Sequence, residues 1–318
     1  MLANRIRKNA RHLGKWAKRE RVTCWRVYDR DIPELPITLD TYEGALVLND
    51  YRHTDDAGER GGGDAWLDAA ALAAKDALDA REVFVKQREQ LDHREGIQYG
   101  RLDATDAWRT VHEGGLAFRV NLSGYIDTGL FLDHRITRAR AAAEQGATLL
   151  NLFAYTGAFS VHAAAAGKRV TTVDLSKTYL EWARENLALN RLDSEIVHAD
   201  VREFLADARR AGRTWDVIVV DPPTFSTSKR MDYTWDVQRD HPALLADVYG
   251  VWSGAGAIWF STNRRKFKLE YAPPRGALVD ETHATIPPDF RDGKIHHAYR
   301  GADTARTPLG TGAGSARG

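Results

Sequence analysis

The sequence predicts an α/β protein, with a mostly parallel sheet over residues 121–298 preceded by a small α+β module over residues 1–120. Three observations carry this prediction. After about residue 121, strand-like and helix-like stretches alternate in the rhythm of βαβ units. Three successive strand candidates end in an acid, on the edge where such sheets bind ligands. The first 30 residues hold ten Lys or Arg against two acids, about +8 in a chain whose net charge is +1.

The first module reads as follows. Residues 3–20 repeat Ile6, Ala10, Leu13 and Ala17 at helical spacing, with Lys8, Arg11, Lys15 and Arg19 on the other side. Two short strands are expected around TCWRVYD and over ITLD to ALVLND, and a further one at REVFVKQRE. A helix over 65–79 separates the last two, and HTDDAGERGGGD before it is a polar loop with no assigned role. WRTVHEGGLAFRV is a hairpin whose turn takes its positive φ values from Gly114 and Gly115. The basic arm points either to a polyanionic partner or to a solvated helix face.

In the second half, TLLNLFAYTG, RVTTVDLS, SEIVHAD, WDVIVVDPP and GAIWFSTN are the strands, with helices between them. The second, third and fourth end at Asp174, Asp200 and Asp221. Helix N-capping is the competing reading for single acids, and Ser176 or Asp200 is expected to do part of it. Residues 299–318 carry no core-forming pattern and are expected to be disordered.

Composition narrows the chemistry. The 318 residues are 43% hydrophobic and 28% charged, with no apolar run of the ~20 residues a membrane helix needs. No signal-peptide pattern opens the chain, so a cytoplasmic setting is expected. Cys24 is the single cysteine, which excludes an internal disulfide and a cysteine-rich metal site. His296 and His297 alone do not make a metal site, and no metal is expected. The turn after the first strand of the sheet has one glycine, Gly157, and no G-x-G-x-x-G cradle for a pyrophosphate. NAD and FAD are therefore disfavoured, and a ligand with a ribose but no phosphate fits better. Asp174, 23 residues after Asn151, is placed to take both ribose hydroxyls, and Asp200 to accept from an adenine amino group. That combination suits S-adenosylmethionine.

At this point NLFAYTGAFSVHA, TTVDLSKTYLEWARENLALN, VDPPTFSTSKRMDYTWDVQRDH and FSTNRRKFKLE resemble the class I methyltransferases of large-subunit ribosomal RNA. The likeness is strongest to those that methylate N7 of a 23S guanine as one half of a bifunctional enzyme. It extends to NRIRKNARHLGKWAKRE, RVYDRDIPE and SGYIDTGLFLDHR, nearly all of the chain to residue 298. The resemblance implies a Rossmann-like fold with S-adenosylmethionine as cofactor. Phe153, Tyr155, Thr156 and Gly157 would shape the methionine end, Asp174 and Ser176 would hold the ribose, and Asp200 and Val201 the adenine, with Asn151 and Asp221 also among the cofactor contacts. Phe131, Asp133 and Arg135 would close over the cofactor; Arg135 is expected to pair either with its carboxylate or within the protein.

The implied substrate is 23S ribosomal RNA or a large-subunit precursor. Asp221, Pro222, Pro223, Phe225 and Asn263 would form the reacting edge, with Phe225 either stacking on a base drawn from its helix or packing in the core. Arg5, Lys8, Arg11, Lys15, Lys229, Arg230, Arg239, Arg264 and Arg265 would meet phosphates, unless they are ordinary surface charges. Relatives that modify carbon 5 of cytosine carry a cysteine after the fifth strand, where this chain has Ser261, Thr262 and Asn263, so covalent cytosine chemistry is not expected. Guanine N7 offers a lone pair and loses no proton, so the enzyme needs mainly to align it with the methyl–sulfur axis and no general base is required. Exocyclic amino methylation, at adenine N6 or guanine N2, is the alternative chemistry, and a catalytically idle RNA-binding assembly factor the alternative class. The bifunctional relatives' upstream half has no counterpart here, so RNA affinity is expected from the basic arm or from a separate protein. The family's last apolar strand is replaced by the polar IHHAYRGADTA, which leaves that strand short or lost.

Overall fold

A computed structural model describes residues 1–52, 63–88, 107–227 and 233–303. Most of the Gly-rich loop, the pair Lys229 and Arg230, and the tail from 304 lie outside the described residues.

The first module contains α1 (Leu2–Glu20), β1 (Cys24–Asp29), β2 (Ile37–Tyr42), β3 (Ala45–Asp50), α2 (Gly63–Leu78) and β4 (Glu82–Gln87). The four strands form one sheet in the order β1-β2-β3-β4, with β3 and β4 parallel across the α2 crossover. Leu2 and Ile6 of α1 and Leu67, Ala70 and Ala74 of α2 pack on Val27, Ile37, Leu39, Leu46 and Leu48 of the sheet. The amphipathic spacing read from the sequence is therefore what seats α1, and its Lys8, Arg11 and Lys15 are left exposed.

The hairpin β5 (Trp108–Glu113) and β6 (Leu116–Asn121) turns at Gly114 and Gly115, with φ of 60° and 81°. It pairs with neither larger sheet. Its backbone is held by the second half: Asn190 and Asn186 accept from the N–H groups of Ala117 and Arg119, and the Trp182 indole donates to the Arg119 carbonyl. The hairpin is thus a bridge between the modules.

The second half has a 3-10 turn (Leu132–His134), α3 (Arg135–Ala143), β7 (Thr148–Leu152), α4 (Ala158–Ala165), β8 (Arg169–Asp174), α5 (Lys177–Leu189), β9 (Glu195–His198), α6 (Val201–Arg210) and β10 (Val217–Val220). It continues through a small ribbon, β11 (Phe225–Ser226) with β12 (Trp235–Asp236), then α7 (Val237–Gly250), β13 (Ala257–Thr262), β14 (Ala277–Asp280), α8 (Thr282–Thr285) and β15 (His297–Ala302). The main sheet runs β14-β15-β13-β10-β7-β8-β9. From β13 to β9 every pairing is parallel, and β15 is antiparallel to both of its neighbours. One face is covered by Phe204, Leu205, Leu244 and Val248 of α6 and α7, the other by Ala141, Phe159 and Ala163 of α3 and α4. Four buried residues in a row, Val217 to Val220, are the continuous apolar run of a strand covered on both faces.

The expected disorder from residue 299 does not hold at its start. β15 continues through Ala302, paired along its length with β13. The polar-looking stretch is a two-faced strand: Ala298 and Tyr299 are buried, and Arg300 reaches out to Glu144 at 2.6 Å. His241 has a structural role. Pro242 cannot donate to the Gln238 carbonyl, and His241 Nδ1 donates there instead at 3.0 Å while its Nε2 accepts from the Glu270 N–H.

Buried ion pairs join the halves. Arg135 donates to Asp289 (2.7 Å) and to the Cys24 carbonyl, and Asp289 also accepts from the Arg26 N–H. Arg138 forms a two-pronged pair with Glu113, at 2.8 and 2.7 Å, and His162 lies 3.2 Å from the same carboxylate. Burial alone would raise the Glu113 pKa; the Arg138 charge and the His162 and Arg138 hydrogen bonds reverse that and hold it well below the carboxylate range. A carboxyl with a depressed folded pKa stabilises the fold above its unfolded value of 4.5 and loses that contribution as the pH falls below it. Glu113→Gln should lower the unfolding free energy at neutral pH by about 3 kcal/mol. It should also flatten the loss of stability on acidification below that value. A urea series giving the variant an acid limb as steep as the parent's would contradict this.

Candidate active site

A cleft of about 390 Å3 opens at the carboxyl ends of β7, β8 and β10. Its first wall is the turn from β7 into α4. Phe153, Tyr155 and Gly157 there have φ of 56°, 52° and 75°, left-handed values that two non-glycine residues adopt only under local compulsion. Asp174, at the end of β8, supplies it. One carboxylate oxygen accepts from the Tyr155 N–H (2.9 Å) and the other from the Ser176 N–H (2.7 Å). Gly157 has a second reason to be glycine, since a Cβ there would sit 2.8 Å from the Ala183 methyl of α5. The Thr156 hydroxyl donates to the Gly129 carbonyl, tying this turn to the segment that forms the opposite wall. Burial pushes the Asp174 carboxyl above its usual range, against the N–H groups it accepts from.

Asp200, two residues past β9, caps α6, accepting from the N–H groups of Arg202 and Glu203. Its second oxygen accepts from the Tyr233 hydroxyl at 2.9 Å. Capping and site-lining are therefore both true of this acid. Asp221, at the end of β10, accepts from the Ser261 hydroxyl at 2.6 Å. The opposite wall is Gly129 to His134, with Phe131 exposed (38%) and its ring 5.2 Å from that of Tyr155.

Most of the residues expected at the site line this cleft: Phe131, Asp133, Phe153, Tyr155, Thr156, Asp174, Ser176, Asp200, Val201, Asp221, Pro222, Pro223 and Asn263. Four do not. Asn151 is buried behind the turn, bonded to Ser160, and Gly157 serves by packing. Arg135 faces Asp289 as described, so of its two expected roles the ion pair is the one observed; the arginine on the cleft is Arg138, one turn on. Phe225 is half-buried in the β11–β12 ribbon opposite Asp236, and its neighbour Ser226 lines the cleft instead. Among the expected phosphate contacts, Lys8, Arg11 and Lys15 are exposed. Arg5 pairs with Asp31, Arg239 with Asp240, Arg264 with Asp236 and Arg265 with Asp292.

Sequence reasoning missed His134, Arg138, Tyr179, Tyr233 and Trp235, which also line the cleft. It also left His296 without companions. The structure sets it beside Asp133 and His134, with one ligand atom from each within 4.8 Å of the others. The two imidazole rings stack with their planes 14° apart, and His296 Nδ1 meets Asp133 at 2.9 Å.

The cleft fits S-adenosylmethionine on its own chemistry: a glycine that admits close packing, acids lining it after successive strands, and no phosphate cradle. Fold and cleft together define a class I methyltransferase. The chain matches the family described as S-adenosylmethionine-dependent methyltransferase over residues 24–251, and it belongs to that family. It is 42% identical over 308 residues to the ribosomal RNA large subunit methyltransferase K/L of Vibrio cholerae serotype O1, covering 93% of this chain and 43% of that protein. To the K/L protein of Pseudomonas aeruginosa it is 43% identical over 307 residues, 94% of this chain and 42% of that protein. The chain thus spans less than half the length of these relatives. A solved S-adenosylmethionine-dependent methyltransferase of Streptococcus mutans superposes with a TM-score of 0.71 at 21% identity, covering 94% of this chain and 80% of that one. One from Agrobacterium tumefaciens gives 0.56 at 20% identity, over 84% and 87%. Both show the shared fold. No helix among the described residues is long and apolar enough to cross a membrane.

Asp174→Ala should weaken binding of S-adenosylhomocysteine by about 2–3 kcal/mol, because the turns at Tyr155 and Ser176 lose their shared acceptor and a ribose placed there would lose a charged one. Arg135→Gln should leave that affinity unchanged per folded molecule while lowering stability. Calorimetric titration of both variants checks this, and an Asp174→Ala protein that binds like the parent would contradict the assignment.

Proposed function

We propose that this chain transfers a methyl group from S-adenosylmethionine to guanine N7 of large-subunit ribosomal RNA. The observation that carries the reading is the likeness to K/L proteins at 42–44% identity, spread over 93–94% of the chain rather than confined to cofactor motifs. Bound S-adenosylmethionine would supply the methyl group. Asp174 and Ser176 would hold its ribose, Asp200 and Tyr233 its adenine, and the turn at 153–157 its methionine end. The chain's own work is then to align a base with the methyl–sulfur axis and to exclude water.

The reacting edge supports N7 over an exocyclic amine. Asp221 is engaged by Ser261, and N7 requires no proton acceptor. In the D/N-P-P-aromatic arrangement of amino methylation the ring follows the second proline directly. Here Thr224 stands in that place, its hydroxyl on the Asn263 amide oxygen, and the Phe225 ring comes one residue later, away from the cleft. Asn263, exposed at the mouth, remains the group placed to meet a base edge. Lys8, Arg11 and Lys15 supply RNA affinity, alone or with a separate protein that provides what the rest of the K/L length carries. Such a substrate implies a cytoplasmic enzyme.

Methyl transfer from labelled cofactor to undermodified 23S RNA, followed by nucleoside mass analysis, should yield 7-methylguanosine. N6-methyladenosine or N2-methylguanosine would overturn the N7 assignment. Bound cofactor with no label in RNA would favour the idle assembly-factor reading.

A further inference from the structure

His134 lines the cleft and has no part in the transfer described above. It is buried on the cleft wall, with Nε2 3.7 Å from an oxygen of Asp133 and 3.8 Å from an oxygen of Asp221. Its ring stacks on His296 with centroids 4.4 Å apart and lies 6.0 Å from the Phe159 ring. Nδ1 is buried and has no hydrogen-bond partner. His296 holds Asp133 from behind, with Nδ1 at 2.9 Å from the carboxylate and Nε2 at 3.1 Å from the Thr285 hydroxyl. The result is a chain Asp221, His134, Asp133, His296, Thr285. It links the end of β10 to the closing segment and to the start of β15.

We propose that His134 sets the charge available to the cofactor at the acid end of the cleft, and through it the preference for S-adenosylmethionine over S-adenosylhomocysteine. This rests on the assignment of the cleft to that cofactor. The two ligands share adenine, ribose, ammonium and carboxylate, and they differ by a methyl group and the positive charge on sulfur. With His134 neutral, Asp133 and Asp221 keep their charges for the ligand and favour the sulfonium. With His134 protonated, the imidazolium takes both acids as its own partners and the distinction narrows. A protein that turns a cation into a neutral product at one site gains release of that product from this arrangement.

The surroundings keep the ring neutral. An imidazolium needs two acceptors, and Nδ1 has none, so protonation leaves a buried N–H unmade. The groups that face His134 are Asp133, Asp221, His296 and Arg138, the last already paired with Glu113. Burial lowers the His134 pKa from 6.5, against the pull of the two acids and with the help of His296 and Arg138.

The test is titration of the full chain with each ligand from about pH 8 down to about pH 5, a window carried below the ordinary histidine value of about 6.5 because burial lowers the pKa of this ring. The parent should lose its preference for S-adenosylmethionine by roughly threefold to tenfold on acidification, while His134→Gln holds a ratio that does not move with pH. At about pH 7.5, His134→Lys should reproduce the acid ratio, which keeps the comparison open if the parent unfolds in acid. A flat ratio in the parent, the parent's pH dependence retained in His134→Gln, or a parent-like ratio in His134→Lys would each overturn the role. Binding of neither ligand by the parent would overturn the cofactor assignment, and the inference with it.

Discussion

Asp174 makes two contacts on which the rest of the site depends. Its oxygens accept from the backbone of Tyr155 in one turn and of Ser176 in the next, so a single carboxylate fixes both loops that follow adjacent strands. Phe153 and Tyr155 sit in a backbone region that costs non-glycine residues about 1–2 kcal/mol each, and the turn persists because its N–H groups are claimed. The Ala154 N–H goes to the Val173 carbonyl, and the Asn186 side chain takes the Thr156 carbonyl. With the turn fixed, α4 can lie against α5 at Gly157, and the cleft acquires its floor.

The N-terminal module is built into this arrangement. Glu113 reaches from the β5–β6 hairpin to Arg138 on the cleft wall, and Asp289 binds Arg135 and the backbone of Arg26. Cys24, Val111, Phe118, Leu130, Leu132, Val161 and Leu187 form one apolar cluster that includes residues of both halves. An exposed basic helix face and the cleft are thereby tied together through the same buried contacts. Buried pairs of this kind add little net stability when intact and cost several kcal/mol when half is removed, so they fix orientation more than they strengthen the fold.

Much of this was legible in the sequence. The parallel strands, their terminal acids and the missing phosphate cradle follow from periodicity and from residue type at strand ends, and these are local signals. What was not legible depends on distance or on facing. In GLFLDHRITR, Arg135 and Arg138 lie about a turn apart on α3, and only packing decides which of them meets the cleft. Phe225 and Ser226 alternate across a two-residue ribbon, so the serine rather than the aromatic faces inward. His134 and His296 are 162 residues apart and meet because β15 inserts beside β13. The polar look of β15 hid a strand, because Ala298, Tyr299 and Gly301 supply its inner contacts with little apolar mass.

If the acids that follow successive strands hold one ribose-bearing cofactor along the carboxyl edge of the sheet, a crystal structure with S-adenosylhomocysteine bound should place its ribose hydroxyls on Asp174. The adenine should lie beside Asp200 and Tyr233, and the homocysteine amino group toward Asp133 and Asp221. Density for the ligand elsewhere, or in this cleft with the adenine at the Asp221 end, would contradict it.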